Sequence, residues 1–510
     1  MILAVLLGGW MPRLTAAEGK ARHVVVMVWD GMRPDFVTES NCPTLYELSR
    51  QGVTFANQHP AYMSATEVNG TALSTGAYPT HDGIVANLEY RPEIDPIHFV
   101  HMEDFDVARK GDAVSKGHYI LLPTMVEIAR KAGLKTAVAG AKPVALLLDR
   151  AERTDAKGGA NVFAGQTLPA DLAETLTNRY GPFPAADAVK PTRNDWTTLA
   201  LVDSLWEDGV PDLSLLWMSE PDATQHLTQP GSERALAAIH SADDNLARVL
   251  RALDEKGVRD STDVMVVSDH GFSTIMSVVD LTESLQAAGI KATAELKAPP
   301  GPGDVVVASD HGAALIYVTG HDEQVIGQVV DFLESWKHTG VILTRKAMPG
   351  TFPLAAAGAN SPAAPDIMMC FHWTSDKNDS GAPGMIVSDG AGYNAGQGMH
   401  GTLSRFDMHN TLIAAGPDFR SGITDCLPSG NVDVAPTVLW ILGIKPPKTM
   451  DGRILTEALT IKGPKLKSYE PGHIGAAREL DTAIWHQYLN FSEVNGTMYY
   501  EEGNGYLTPK

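Results

Sequence analysis

The sequence predicts an α/β fold, a doubly wound and mostly parallel central sheet with a small inserted α+β subdomain, and three observations lead there. Val24-Val25-Val26-Met27-Val28-Trp29 is a continuous apolar run of strand type, as expected of a parallel strand buried on both faces. Similar runs at Thr136 to Gly140, Leu213 to Met218 and Val264 to Val267 alternate with helical periodicity. Near 304–343 the alternation gives way to hairpins around one helix.

Taken in order, the chain opens with an apolar stretch, Ile2 to Met11, followed by the small residues Thr15-Ala16-Ala17. This resembles an export signal without a basic start, so residues 1–17 are expected to be a signal peptide and the protein periplasmic or secreted. The first strand closes on Asp30-Gly31, and helices are predicted at Thr44 to Gln51 and from about Ala65 to Thr75. Helix Thr124 to Lys131, Gly133 and strand Thr136 to Gly140 make the next α-to-β step. Helix Asp195 to Trp206 leads to strand Leu213 to Met218, and a long helix from Ser232 to Glu255 precedes Val264 to Val267. The Pro/Gly-rich stretches 298–303 and 348–350 bracket the hairpins and the helix Asp322 to Trp336, which places an inserted subdomain at 298–364. Ile367-Met368-Met369 is expected to return to the main sheet, and the last core helix runs from Val434 to Leu442. The main domain therefore covers 22–297 and 365–460; residues 461–510 show no strong periodicity and read as an extension.

Composition narrows the function. A chain of 510 residues with 44% hydrophobic residues is a globular enzyme-sized protein, and no apolar run reaches the roughly 18 residues of a membrane span. A formal charge of -21 excludes non-specific binding to nucleic-acid polymers, which needs a basic surface to displace phosphate counterions. Three cysteines, Cys42, Cys370 and Cys426, are too few for a disulfide framework; Cys370 with Cys426 is the best pair, and free thiols are favoured over it.

The chemistry concentrates in two pieces. Asp222-Ala-Thr-Gln-His226 puts a carboxylate and an imidazole on one face of a helical turn. Ser268-Asp269-His270-Gly271 ends a strand, with Gly271 expected to supply the chain reversal that brings Asp269 and His270 to one ion. Four N/O ligands in two clusters point to a metallohydrolase. Asp30 joins them at the carboxyl edge of the first strand, where open α/β sheets bind ligands. Ser64-Ala-Thr66-Glu67 has the capping-box pattern, which would place Thr66 in the first turn of a helix, near free N–H groups. A hydroxyl there can attack phosphorus, and on chemistry alone Ser64 and Thr71 compete with Thr66.

Ser309-Asp310-His311-Gly312 repeats the second piece letter for letter, but it sits between two apolar runs as a hairpin turn, so the first copy is preferred for metal. His409 lacks the flanking glycines of His400 and reads as a packed or surface residue.

Trp29-Asp30-Gly31, then Thr66-x-x-Asn69-x-x-x-x-x-Thr75-Gly76-x-x-Pro79-x-x-x-Gly83-Ile84-x-x-Asn87, resembles the nucleotide pyrophosphatase/phosphodiesterase branch of the alkaline phosphatase superfamily. Pro221-Asp222-x-x-x-His226, Ser268-Asp269-His270-Gly271 and Gly398-Met399-His400-Gly401 continue the match in order. The resemblance implies an alkaline-phosphatase-like fold and two divalent metal ions, zinc first. Asp222, His226 and His400 would hold one, and Asp30, Asp269 and His270 the other. Thr66 would be the nucleophile, passing through a phospho-threonine, with its N–H and the Asn87 side chain on the phosphoryl oxygens. A small-molecule phosphate ester is the implied partner; oligomeric state is not read from the sequence.

Gly70 and Asp82 stand where the family usually has His. Related monoesterases and phosphonate hydrolases carry two basic residues after the strand matching Thr136 to Gly140. Here Lys142-Pro143-Val144 keeps one, which favours a diester, with Arg33 and Arg91 the nearest candidates in sequence for a second cation. Phosphomonoesterase or phosphonate hydrolase is the alternative within the superfamily, and a non-catalytic metal-binding or surface-binding module the alternative of another class.

Overall fold

In the run Val24–Trp29 every side chain has an apolar partner surface, because the strand His23–Trp29 lies inside a sheet covered on both faces. The computed structural model describes residues 19–185, 192–390, 392–466 and 468–510, and the signal peptide expected at 1–17 lies outside them. The main sheet has nine strands in the order Ile423–Asp425, Val53–Phe55, Leu412–Ala415, Thr262–Val267, His23–Trp29, Leu213–Met218, Thr136–Gly140, Gly159–Phe163 and Gln166–Leu168. The five from Thr262–Val267 to Gly159–Phe163 are all parallel. Leu412–Ala415 and Gln166–Leu168 run antiparallel to their neighbours.

Alternate residues of the first strand feed separate cores. Val24, Val26 and Val28 pack with Val438 and Leu439 of the helix Val434–Ile441. Val25, Met27 and Trp29 pack with Ile239, Leu246 and Val249 of the long helix Glu233–Glu255. That helix starts where Ser232 Oγ accepts the Ala235 N–H. Helix Met125–Lys131 carries a complete Thr124/Glu127 capping box. The helix expected at Asp195 to Trp206 is regular over Thr192–Leu199 and widens to a π-helical turn over Ala200–Leu205.

The register places the functional loops. Val28 stands opposite Val267 on one side and Trp217 on the other. Three adjacent parallel strands thus end at one level, and the residues after them, Asp30, Asp269-His270 and Asp222, meet at the carboxyl edge.

A second sheet of six strands follows the order Ala292–Thr293, Val305–Asp310, Ala313–Val318, Ile367–Phe371, Thr339–Thr344, Phe352–Pro353. Ile367-Met368-Met369 therefore does not return to the main sheet: it pairs antiparallel with Ala313–Val318 and Thr339–Thr344. A short continuous apolar run fits any strand buried on both faces, so its sequence does not choose between sheets. The chain re-enters the main sheet at Leu412–Ala415. Residues 469–509 form a three-stranded antiparallel sheet instead of an irregular tail. Burial alternates along Ala483–Val494, but Gln487 and Ser492 occupy buried positions, which hides the period-2 apolar pattern. Gln487 is satisfied there by both backbone groups of Ile342. Cys370 is buried, Cys426 exposed and both are free, so the Cys370–Cys426 bridge is not formed.

Candidate active site

Asp30 leaves the first strand into Gly31, whose φ of +70° turns the chain at once and whose missing side chain leaves room for the Phe272 ring. Asp222 opens the short helix Asp222–Leu227, and His226 follows one turn on, its Nε2 3.1 Å from Asp222 Oδ1. Asp269 is fixed by its neighbours, since Oδ1 accepts the N–H groups of Gly31 and His270, each at 3.0 Å. Gly271 serves closeness, not reversal: its φ is outside the left-handed region, and a Cβ there would lie 2.0 Å from Phe406 O. His400 comes from the segment after Gly398–Met399, and its ring stacks on His270 at 3.7 Å.

These side chains converge. Ligand atoms of Asp30, Asp269 and His270 lie within 4.8 Å of one another, and so do those of Asp222, His270 and His400. His226, expected with Asp222 and His400, is outside both groups and touches the second through Asp222. The Nδ1 atoms of His270, His226 and His400 face the carbonyl oxygens of Gly271, Gly398 and Ser64 at 2.9, 3.1 and 2.8 Å. Each ring must donate there, which leaves the Nε2 of the neutral His270 and His400 as a lone pair. Those lone pairs face Asp30 Oδ1, Asp222 Oδ1 and Asp269 Oδ2, buried oxygens that accept no hydrogen bond from any described residue. Acceptor against acceptor in a buried site is costly unless a cation lies between them. The donor set, all nitrogen and oxygen with no thiolate, suits divalent ions of the zinc type.

The titration of the carboxylates carries the same message. Burial, then the nearby Asp222 and Asp269, hold the Asp30 carboxyl well above its ordinary range, and burial pushes Asp269 up to about 7. Burial also opposes ionisation of Asp222, but Lys142 and His226 outweigh it and hold that carboxyl well below its usual value. Burial pushes the imidazoles of His270 and His400 down, keeping them neutral.

Lys142 reaches in from the end of the strand Thr136–Gly140. Its Nζ lies 2.9 Å from Asp30 Oδ2, 3.1 Å from Asp222 Oδ2 and 3.4 Å from Thr66 Oγ1. Thr66 is the first residue of the buried helix Thr66–Thr75, and its Oγ1 is also 3.4 Å from His270 Nε2. The expected Ser64/Glu67 capping box is not made. Ser64 Oγ donates to Thr402 O, and the Glu67 N–H goes to Asn87 Oδ1 at 3.0 Å. That bond turns the Asn87 amide nitrogen away from the helix and towards the cleft. Ser64 and Thr71 are both engaged with backbone carbonyls. Gly70, the departure from the family pattern, has a packing reason: a Cβ would meet Val144 at 2.8 Å and Trp217 at 3.3 Å.

Thr66, Asn87, Lys142, Asp222, His226 and His400 line one cleft of about 750 Å³. Arg33 is spent on Asp35 and on the carbonyls of Phe272 and Pro383. Arg91 is paired with Glu89 and Glu93. Neither supplies the second cation; Arg193, which the sequence reading passed over, lines the cleft instead. His409 lies apart, bonded to Ala56 O. The second Ser-Asp-His-Gly copy is the hairpin turn expected of it and joins neither ligand group, yet it too lines the cleft. Asp310 Oδ2 accepts the Asn87 N–H at 2.9 Å. Sequence spacing gave no sign of this, because the contact joins a loop residue to a strand end 223 positions away.

Residues 24–402 match the model of the type I phosphodiesterase/nucleotide pyrophosphatase family. The chain belongs to that family. It is 22% identical over 462 residues to human ectonucleotide pyrophosphatase/phosphodiesterase family member 7, covering 89% of this chain and 87% of the relative. It is 23% identical over 425 residues to a Xenopus laevis bis(5'-adenosyl)-triphosphatase, covering 82% and 78%. Among solved structures, human ectonucleotide pyrophosphatase/phosphodiesterase 5 superposes with a TM-score of 0.61 at 16% identity, covering 86% of this chain and all of the other. This type I phosphodiesterase is thus a phosphoric ester hydrolase on an alkaline-phosphatase-like fold, from a two-metal family, and it carries two groups of residues that could hold metal ions.

Proposed function

We propose that this chain hydrolyses small-molecule phosphate diesters or nucleotide pyrophosphates with Thr66 as nucleophile and a phospho-threonine intermediate. The observation that carries this is the position of Thr66 Oγ1, 3.4 Å from both His270 Nε2 and Lys142 Nζ, at the mouth of the acceptor-only ligand groups. Asp30, Asp269 and His270 would hold one divalent ion and Asp222, His226 and His400 the other. Zinc fits these donors best, and such ions supply charge neutralisation at the attacking and leaving oxygens.

The protein groups divide the remaining work. Lys142 donates to Thr66 Oγ1 and favours its alkoxide. The Thr66 hydroxyl gives its proton to solvent, its oxygen bonds to phosphorus as the bond to the leaving oxygen breaks, and the leaving group departs with that electron pair and takes up a proton from solvent. Asn87, with its oxygen held by the Glu67 N–H, offers its NH2 to a phosphoryl oxygen. Water then cleaves the phospho-threonine, releasing phosphate monoester and returning a proton to Thr66. We further propose export to the periplasm or outside the cell, on the apolar stretch Ile2 to Met11.

The test is a pair of assays on a chromogenic phosphate diester and the matching monoester, with metal analysis. Diester kcat/KM should equal or exceed that for the monoester, and Lys142→Ala should cost the monoester more, because an ion pair is worth more to a dianion. Thr66→Ala should lower turnover by three or more orders of magnitude with the metal content kept. A monoester preference of several hundredfold, with Arg193 as second cation, would favour the phosphomonoesterase or phosphonate hydrolase reading instead.

A further inference from the structure

The turn Ser309–Gly312 comes from the second sheet, yet it is built into the wall of the catalytic cleft. Gly312 packs so tightly on the His400 segment that a Cβ would lie 2.2 Å from His400 O. The His311 carbonyl accepts both the Asp389 N–H at 2.9 Å and Ser388 Oγ at 3.2 Å. This framework holds His311 at φ +61°, a left-handed conformation that an imidazole-bearing residue seldom keeps unless its surroundings impose it. The ring that results faces the cleft, and its buried Nδ1 has no hydrogen-bond partner among the described residues.

Its neighbours say which part of the cleft it serves. The Tyr393 ring stands 5.0 Å from His311, edge to face, and 5.2 Å from His226. In the ion assignment proposed above His226 goes with Asp222 and His400, whereas Thr66 Oγ1 touches His270, which is assigned with Asp30 and Asp269. In an in-line displacement the leaving group lies opposite the nucleophile. The Asp222/His226/His400 side is therefore the leaving-group side, and His311 and Tyr393 are its outer wall.

We propose that His311 is a specificity-determining residue: its imidazole hydrogen-bonds the polar edge of a planar leaving group that packs against Tyr393. The inference rests on the diester reading above and goes beyond it by naming the wall that selects the departing half. A neutral imidazole offers one donor and one acceptor nitrogen at the edge of a flat ring, which suits an aromatic or heteroaromatic leaving group better than a compact alcohol. A site built to hydrogen-bond such a group loses the discrimination when the partner atom is removed.

The experiment compares methyl 4-nitrophenyl phosphate, whose leaving group is planar with a polar edge, with methyl hexafluoroisopropyl phosphate, whose leaving group is compact. The ratio of their kcat/KM values is measured in wild type, His311→Gly and His311→Asn, with metal content and Tm recorded for each. Glycine removes the ring while easing the left-handed backbone, and asparagine tolerates that backbone and places an amide near Nδ1. The expected result is a fall in the aryl-to-alkyl ratio of at least tenfold in His311→Gly, partial recovery in His311→Asn, and unchanged metal content. An equal loss on both substrates, or no change in the ratio, overturns the proposal and leaves the turn a structural support. Wild-type enzyme inactive on both diesters but active on monoesters would sink the diester reading itself, and this inference with it.

Discussion

Two copies of Ser-Asp-His-Gly, identical in sequence, do different things because of where their second and third residues point. Asp269 and His270 follow a central parallel strand and turn their ligand atoms onto Asp30, while Asp310 turns back to the Asn87 N–H and His311 to Tyr393. His270→Ala should therefore lower bound metal, since its ring belongs to both ligand groups, whereas His311→Ala should leave metal content unchanged. Elemental analysis of the purified variants checks this, and the reverse pattern would assign the ions to the wrong copy. At this scale the sequence singled out Asp30, Asp222, Asp269, His270 and His400, which the fold brings together, because Asp and His at strand ends next to glycine carry their chemistry in their identity. It did not show Asp310, Tyr393 or Arg193, whose places depend on residues far away in the chain.

The helix Thr66–Thr75 carries the proposed nucleophile, and it is buried along its whole length. Its N-cap residue, Ala65, offers no side-chain cap, and the Glu67 N–H is met by Asn87 Oδ1. Its start is instead held by Asn69, whose Oδ1 accepts the Ala61 N–H and Asn431 Nδ2, and whose Nδ2 donates to the carbonyls of Ala61, Met63 and Ala65. Asn431 also donates to Asp269 O, so one amide network ties the nucleophile helix to a ligand loop. Asn69→Ala leaves several buried groups unpaired and should cost about 2–4 kcal/mol of stability. It should also lower kcat more than it raises KM, because it displaces Thr66 without touching the substrate. A variant as stable and as active as wild type would show that the network is incidental. The capping-box pattern misled here because Ser64 found a tertiary partner, Thr402 O, in preference to the local one.

Across the whole molecule, the C-terminal sheet is tied into the same network. Tyr499 donates to Asp433 Oδ2 at 2.8 Å and accepts from Arg453 Nε at 2.9 Å, and Asp433 Oδ2 also accepts the Gly430 N–H next to Asn431. Tyr499→Phe should cost about 1–3 kcal/mol, read as a lower denaturant midpoint at unchanged slope. A second whole-molecule prediction follows from a buried acid. Burial, then the nearby Asp418, push the Asp263 carboxyl up to about 8, against 3.8 for an ordinary aspartate. Between those values the folded chain holds a proton that the unfolded chain has released, so stability falls as pH rises from about 4 to about 8. Asp263→Asn, which stays neutral, should give a shallower decline in Tm between pH 5 and pH 8. A steeper decline, or none different from wild type, would rule out Asp263 as a contributor to the slope.

What the sequence determined by itself was the sheet, the family and the candidate metal-binding side chains. Continuous apolar runs can only be strands buried on both faces, and the residues after them must lie at the sheet edge. What the tertiary structure decided was the partner of each ambiguous segment. Ile367–Phe371 joins the second sheet, and residues 469–509 form a sheet whose buried Gln487 pairs with Ile342. The turn Ser309–Gly312 becomes a wall of the cleft. In each case the local pattern is compatible with more than one neighbour, and packing and hydrogen bonding over long sequence separations choose among them.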